Sequence, residues 1–131
     1  MRGLLLFAVV LCPLAGVGAR QPQPAPRQRV EVLKLEAGRE SGRILIDGAV
    51  KNTGQRRLPA LTLVFDLLDS DGNVMSRLRG PIEDEVLEPA AESEFHFYVS
   101  DHVRAVLVRV SAVSGRGMDV EVVNGGPFPL D

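Results

Sequence analysis

From Val30 onward, apolar and polar residues alternate with a period of two, and short runs of turn-forming residues interrupt the alternation. Successive side chains of a β-strand point to opposite faces, so this pattern is typical of half-buried antiparallel strands. Seven segments carry it: 30–37, 43–51, 60–69, 74–79, 94–100, 103–113 and 118–122. Together they predict an all-β fold, specifically an immunoglobulin-like antiparallel β-sandwich of about seven strands.

Local details predict where these strands bend and turn. Val32 and Leu33 are adjacent apolar residues, which favours a β-bulge or an edge position in the first segment. The Asn-Thr-Gly sequence at 52–54 and the Asp-Gly pair at 71–72 tolerate the positive φ of tight turns. The acidic, proline-bracketed stretch 81–89 is expected to form a solvated loop.

The first 19 residues have the three parts of a cleavable secretory signal: a positive start at Arg2, an apolar run over 4–11 and small residues at 17–19. A membrane anchor is the alternative, but the run is shorter than the roughly 20 apolar residues that span a bilayer. A lipoprotein signal would use Cys12, but Leu11 stands where that signal needs a small residue. The sequence therefore predicts export, to a periplasm or out of the cell, with no stable transmembrane segment after cleavage.

The predicted domain order is a signal peptide (1–19), a flexible leader (20–29), the β-sandwich domain (30–125) and a C-terminal tail (126–131). Three prolines favour extended, solvated backbone in the leader, and a proline-recognition ligand is the less favoured alternative. Because Cys12 is the only cysteine and leaves with the signal, the mature domain can form no internal disulfide. Its stability must come from packing.

The charge balance narrows the classes of partner. The chain carries 15 basic and 17 acidic residues, a formal net charge of −2. A dedicated nucleic-acid-binding protein usually shows a strongly basic stripe, so we expect no nucleic-acid partner.

A family resemblance covers residues 44 to 99. It is carried by Ile-Asp-Gly-Ala-Val-Lys-Asn-Thr-Gly at 46–54, Phe-Asp-Leu-Leu-Asp at 65–69 and Asp-Gly at 71–72, with Leu58, Pro89 and Phe95. This pattern resembles the FxLYD-type domain of bacterial exported proteins, with Leu68 in place of the usual tyrosine. The resemblance implies an immunoglobulin-like sandwich without established enzymatic activity, and it transfers no catalytic residues.

One turn has part of the pattern of a calcium loop. Asp69, Asp71 and Asn73 have the spacing of the first ligands, but an EF-hand loop starting at Asp69 also needs a glycine and a glutamate that this sequence does not supply. A hairpin turn is therefore favoured over weak calcium binding assisted by Glu83 or Asp84.

His96 and His102 are the only histidines, and Ser100 and Asp101 beside His102 complete the residue types of a hydrolytic triad. Strand neighbours point to opposite faces and no Gly-x-Ser-x-Gly turn surrounds them, so a solvated turn is favoured. Two histidines without cysteine are too few for a closed zinc site, although carboxylates could complete an open one. We therefore predict no enzymatic activity, no catalytic or cofactor-binding residues, no cofactor and no metal site.

The outward positions of the third and sixth segments give the best candidate for a partner site. If these strands pair, they bring together an apolar patch with a charged border, made of Val64, Asp66, Leu68, Leu107 and Arg109. The alternative is that a loop, the leader or the first strand covers this patch. The sequence thus predicts a noncatalytic exported interaction or structural module with a protein partner. The alternative class is an extracytoplasmic small-ligand- or ion-binding domain.

Overall fold

The computed structural model describes residues 28–131, so the predicted signal peptide and most of the predicted leader lie outside it. The described residues form strands, turns and loops, and they include no helix long and apolar enough to cross a membrane. All seven predicted segments contain a strand, and the all-β prediction is confirmed. The ten strands are β1 (Arg29–Glu40), β2 (Arg43–Asn52), β3 (Leu58–Pro59), β4 (Thr62–Leu68), β5 (Val74–Pro81), β6 (Val86–Leu87), β7 (Glu92–Ser100), β8 (Leu107–Ser114), β9 (Met118–Val123) and β10 (Phe128–Pro129).

Eight of these strands form one sheet: seven follow the order β5-β4-β8-β9-β1-β2-β7, and β10 pairs with β8. The sheet is continuous because β9 changes partner along its length: residues 118–120 pair antiparallel with β8, and residues 121–123 pair parallel with β1. The two end strands meet where Glu83, just after β5, donates its backbone N–H to the Glu94 carbonyl of β7 at 3.4 Å. The sheet is therefore nearly closed and barrel-like, and the predicted division into two separate sheets is not confirmed.

Three phenylalanine rings fill the interior where the two end strands, β5 and β7, approach each other. The ring centroids of Phe65, Phe95 and Phe97 lie 5.1 to 6.0 Å apart, a normal spacing for packed aromatic side chains. Two glycines make room for them. A Cβ atom at Gly48 would overlap the Phe95 ring, and one at Gly80 would overlap the Phe97 ring.

The predicted bulge in the first strand is confirmed. The pairing of β1 with β2 shifts register between Val32 and Lys34, which leaves Leu33 as the extra residue. The bulge brings the Lys34 carbonyl oxygen so close to Gly48 that a Cβ there would overlap it. Glycine at position 48 is thus required by the backbone of β1 as well as by the core.

Asn52 is buried and joins three parts of the chain at one end of the sheet. Its side-chain amide donates to the Arg56 carbonyl at 2.8 Å and to the Leu87 carbonyl at 2.9 Å, and its Oδ1 accepts the Gly54 N–H at 2.9 Å. Each polar atom of the buried amide therefore has a partner. The chain turns after Asn52 as predicted, but neither Asn52 nor Gly54 has a positive φ, so the Asn52 side chain shapes this turn.

Two segments expected outside the core are packed into it. The stretch 81–89 is not wholly a solvated loop, because β6 pairs with β3 and Leu87 is completely buried. Residues 126–131 are not a tail, because β10 pairs with β8 and Leu130 joins the core. Each segment is short and contributes only a few apolar side chains, too few for alternation to reveal a strand.

Two strand boundaries also differ from the prediction. Arg29, assigned to the leader, is the first residue of β1. The segment predicted as 103–113 becomes a strand only at Leu107, because a turn in which Ala105 donates its backbone N–H to the His102 carbonyl precedes it.

We expect Gly48→Ala to lower the free energy of unfolding by about 1 to 3 kcal/mol, because the added methyl group overlaps a ring and a carbonyl. Gly38→Ala is the matched control, since the nearest atom to its added Cβ is the Asp131 carbonyl oxygen at 3.9 Å. The control should change stability by less than about 0.5 kcal/mol. Urea unfolding of both variants measures the difference, and equal effects would show that position 48 is not crowded.

Candidate functional site

The structure brings the five predicted patch residues together on the outer face of the sheet. The strand β4 lies between β5 and β8, and paired residues of antiparallel strands point to the same face. Three rows of side chains therefore cross this surface, which we call the arginine face: Arg79–Val64–Ser111, Arg77–Asp66–Arg109 and Val74–Leu68–Leu107.

Asp66 is the centre of the arginine face. Its Oδ1 accepts a hydrogen bond from Arg77 Nε at 2.6 Å, and its Oδ2 accepts one from Arg109 Nη2 at 3.0 Å. Burial alone would raise the pKa of the Asp66 carboxyl, but the two guanidinium groups outweigh it and hold this pKa below its ordinary value. The Asp66 side chain is 7% exposed, whereas those of Arg77 and Arg109 are about half exposed.

The arginine face is less apolar than the patch predicted from the sequence. Val64 is only 7% exposed and Leu68 only 3%, because each is the middle residue of its row and has a neighbour on both sides. Accessible apolar surface lies at one end of the face instead, on Val74 and the half-buried Leu107. The face therefore offers guanidinium groups beside a small apolar area.

A second polar cluster lies on the outer face of β2 and β7. It consists of Asp47, Glu83, Glu94 and His96, and we call it the His96 cluster. Asp47 is directly opposite His96 in the antiparallel pairing, and Glu94 lies two residues earlier on the same face of β7. Glu83 reaches the cluster because its backbone N–H is bonded to the Glu94 carbonyl.

The imidazole of His96 lies between carboxylates. Its Nδ1 is 2.9 Å from Asp47 Oδ1, and its Nε2 is 3.7 Å from Glu83 Oε1 and 3.6 Å from Glu94 Oε2. The hydrogen bond to Asp47 raises the pKa of His96 above its ordinary value, and the negative charges of Glu83 and Glu94 act in the same direction. A depression of about 90 Å³ adjoins the imidazole.

The calcium-like spacing at Asp69 belongs to a hairpin turn, as predicted. Asp69 Oδ1 accepts the backbone N–H groups of Asp71 at 3.0 Å and Asn73 at 2.8 Å, and Gly72 has a φ of 84°. The hydrogen bond from the Asn73 N–H is the main cause that lowers the pKa of Asp69. This carboxylate thus stabilises the turn.

Asp101 and His102, which follow β7, take part in a structural contact with β1. The Asp101 carboxylate accepts a hydrogen bond from Arg39 Nε at 2.8 Å. The same guanidinium donates to the backbone carbonyls of His102 and Ala105. Arg39 and Asp101 thereby hold the connection between β7 and β8 against β1.

Comparisons with known proteins support the fold and leave the family open. No protein-family model matches the chain, and no curated protein matches it. Among solved structures, IrmA from Escherichia coli matches with a TM-score of 0.54 and 8% identity, over 79% of this chain and 97% of IrmA. At this identity the likeness concerns the fold alone.

Parts of two β-glucosidases are also similar to the chain. The Thermotoga neapolitana enzyme 3B matches with a TM-score of 0.44 and 15% identity, over 78% of this chain and 16% of the enzyme. The Kluyveromyces marxianus enzyme matches with a TM-score of 0.38 and 15% identity, over 81% of this chain and 15% of the enzyme. These likenesses are too distant to carry a functional inference.

Sequence reasoning identified part of each cluster. It singled out Asp66 and Arg109 but missed Arg77, although a hairpin closed by the Asp-Gly pair at 71–72 would have placed Arg77 beside Asp66. It also left His96 without partners, because Asp47 is 49 positions away in the chain and only the strand register joins the two.

We expect Asp66→Asn to lower the free energy of unfolding by about 1 to 3 kcal/mol at neutral pH, because a buried charged acceptor of two guanidinium groups is lost. The carboxylate stabilises the fold above its unfolded-state pKa, and this contribution disappears as the pH falls through the lower folded-state pKa. Urea unfolding across the acidic range should therefore show wild type and variant converging at low pH. Asp119→Asn, an exposed carboxylate on β9, is the control and should have little effect. A constant difference between wild type and Asp66→Asn at every pH would contradict the pairing.

Proposed function

We propose that this chain is a noncatalytic exported interaction module that binds an acidic protein partner through the arginine face. The observation that carries this proposal is the pair of half-exposed guanidinium groups, Arg77 and Arg109, anchored on the nearly buried Asp66 carboxylate. Export is supported by the signal-like residues 1–19, and the FxLYD-type resemblance supports an exported immunoglobulin-like domain.

The chemistry of the arginine face favours carboxylate-bearing partners. The two rows that contain Arg79 and Asp66 together hold three guanidinium groups and one carboxylate, which leaves an excess of positive charge. A planar guanidinium binds carboxylates with two parallel hydrogen bonds, and Asp66 already holds two of these groups in place. Less side-chain entropy is therefore lost when a partner binds.

The apolar end of the face adds a second requirement. Val74 and Leu107 lie one row away from Arg77 and Arg109. A partner surface that places an acidic side chain next to an apolar one would satisfy both areas at once. The acidic balance of the whole chain disfavours nucleic acid as this partner.

A second candidate is an extracytoplasmic ion-binding domain. The observation that favours it is the His96 cluster, in which one imidazole nitrogen and two carboxylate oxygens all lie within 4.8 Å of one another.

Crosslinking in the native envelope, followed by pull-down, tests the arginine face. We expect Arg79→Glu and Leu107→Asp each to reduce recovery of a specific partner at least about tenfold, because one reverses a charge and the other places a charge on the apolar end. Arg79 is chosen because Arg77 and Arg109 both bind Asp66, so their replacement would also disturb the fold.

Arg116→Glu and Met118→Asp are the matched controls, since they make a charge reversal and an apolar-to-acidic change at exposed positions away from this face. Both should recover the partner as well as wild type does. Equal recovery of the partner by all four variants, with unchanged thermal stability, would show that the arginine face does not bind the partner.

A further inference from the structure

We propose that the His96 cluster binds one first-row divalent cation of the zinc class, with His96 Nε2, Glu83 and Glu94 as ligands. This inference develops the second candidate function and is independent of the arginine face. Three features support it: the spacing of the ligand atoms, the orientation of the imidazole and the paired strands that carry the ligands.

The spacing of the three ligand atoms suits a single small cation. Two atoms that each lie about 2.0 to 2.2 Å from one tetrahedral ion are about 3.3 to 3.6 Å apart. His96 Nε2 lies 3.6 Å from Glu94 Oε2 and 3.7 Å from Glu83 Oε1, and the ligand atoms of the three residues all lie within 4.8 Å of one another. Small side-chain adjustments of these exposed groups would bring all three atoms to bonding distance.

Asp47 aims the imidazole at the carboxylates. A carboxylate can only accept a hydrogen bond, so the nitrogen 2.9 Å from Asp47 Oδ1, His96 Nδ1, carries the proton. In the neutral ring the lone pair is then on Nε2, which faces Glu83 and Glu94. Histidines that bind metals commonly donate their other ring N–H to a carboxylate in this way, which fixes the tautomer and strengthens the ligand.

The backbone holds these groups in position before any ion binds. Asp47 and His96 lie in the middle of paired strands, directly opposite each other, and Glu94 is on the same strand as His96. Glu83 lies outside a strand, but its backbone N–H is bonded to the Glu94 carbonyl. Only side-chain motion is needed to complete the site, which limits the entropic cost of binding.

The ligand types select the class of cation. Calcium and magnesium bind through oxygen ligands, and calcium takes six to eight of them. One imidazole nitrogen with two carboxylate oxygens is instead the donor set of zinc and related first-row ions. Three protein ligands at the surface leave a further coordination position for water.

Zinc binding to purified protein without a polyhistidine tag tests this proposal. Calorimetric titration with zinc chloride at mildly alkaline pH should give one ion per chain, and cobalt should give the visible absorption of a tetrahedral nitrogen and oxygen site. We expect His96→Gln and Glu83→Gln to weaken zinc binding at least about tenfold, because each removes a ligand. Asp47→Asn should weaken it about 10- to 100-fold, because it removes the group that orients the imidazole.

His102→Gln and Glu92→Gln are the controls, since they remove the other histidine and a neighbouring exposed carboxylate of β7. Both should bind zinc as wild type does. Absence of saturable binding by the wild type, or unchanged binding by a folded His96→Gln variant, would overturn the site. Arg79→Glu should retain zinc binding, so failure of the metal site and failure of the arginine face are separate outcomes.

Discussion

Packing of three phenylalanine rings against two glycines is the constraint on which the rest of this structure depends. Gly48 lies opposite Phe95 in the pairing of β2 with β7, and Gly80 lies against Phe97 near the seam where β5 approaches β7. A side chain at either glycine would overlap a ring. A slip of one residue would also turn every core side chain of a strand to the outer surface, so the register is strongly specified.

The same register determines which side chains are neighbours on the outer surface. The pairing that sets Gly48 against Phe95 also sets Asp47 against His96, because successive residues point to opposite faces. Elsewhere on the same outer surface, β4 lies between β5 and β8, and its outward Asp66 binds an arginine from each of these neighbours. Apart from Glu83, the residues of both polar clusters therefore lie on paired strands, which favour a preorganised binding site.

Local sequence pattern was sufficient for the seven long strands, but not for the short strands β3, β6 and β10 or for the closure of the sheet. Alternation located all seven long strands, and the adjacent Val32 and Leu33 located the bulge. Closure depends on β9, whose two halves pair with different strands, and no local pattern encodes that change of partner. The two sites differ in the same way in how far the sequence predicts them. The β4–β8 patch was predictable because both of its strands alternate strongly. The His96 cluster depends on the pairing of β2 with β7 and on the position of Glu83 after β5.

Backbone nuclear Overhauser effects between β2 and β7 test this register most directly. We expect cross-strand contacts that join Gly48 to Phe95 and Asp47 to His96 in the purified protein. Contacts displaced by one residue, joining Asp47 to Phe95 or to Phe97, would contradict the register. In such a shifted register Phe95 would no longer lie opposite Gly48, and His96 would no longer lie opposite Asp47.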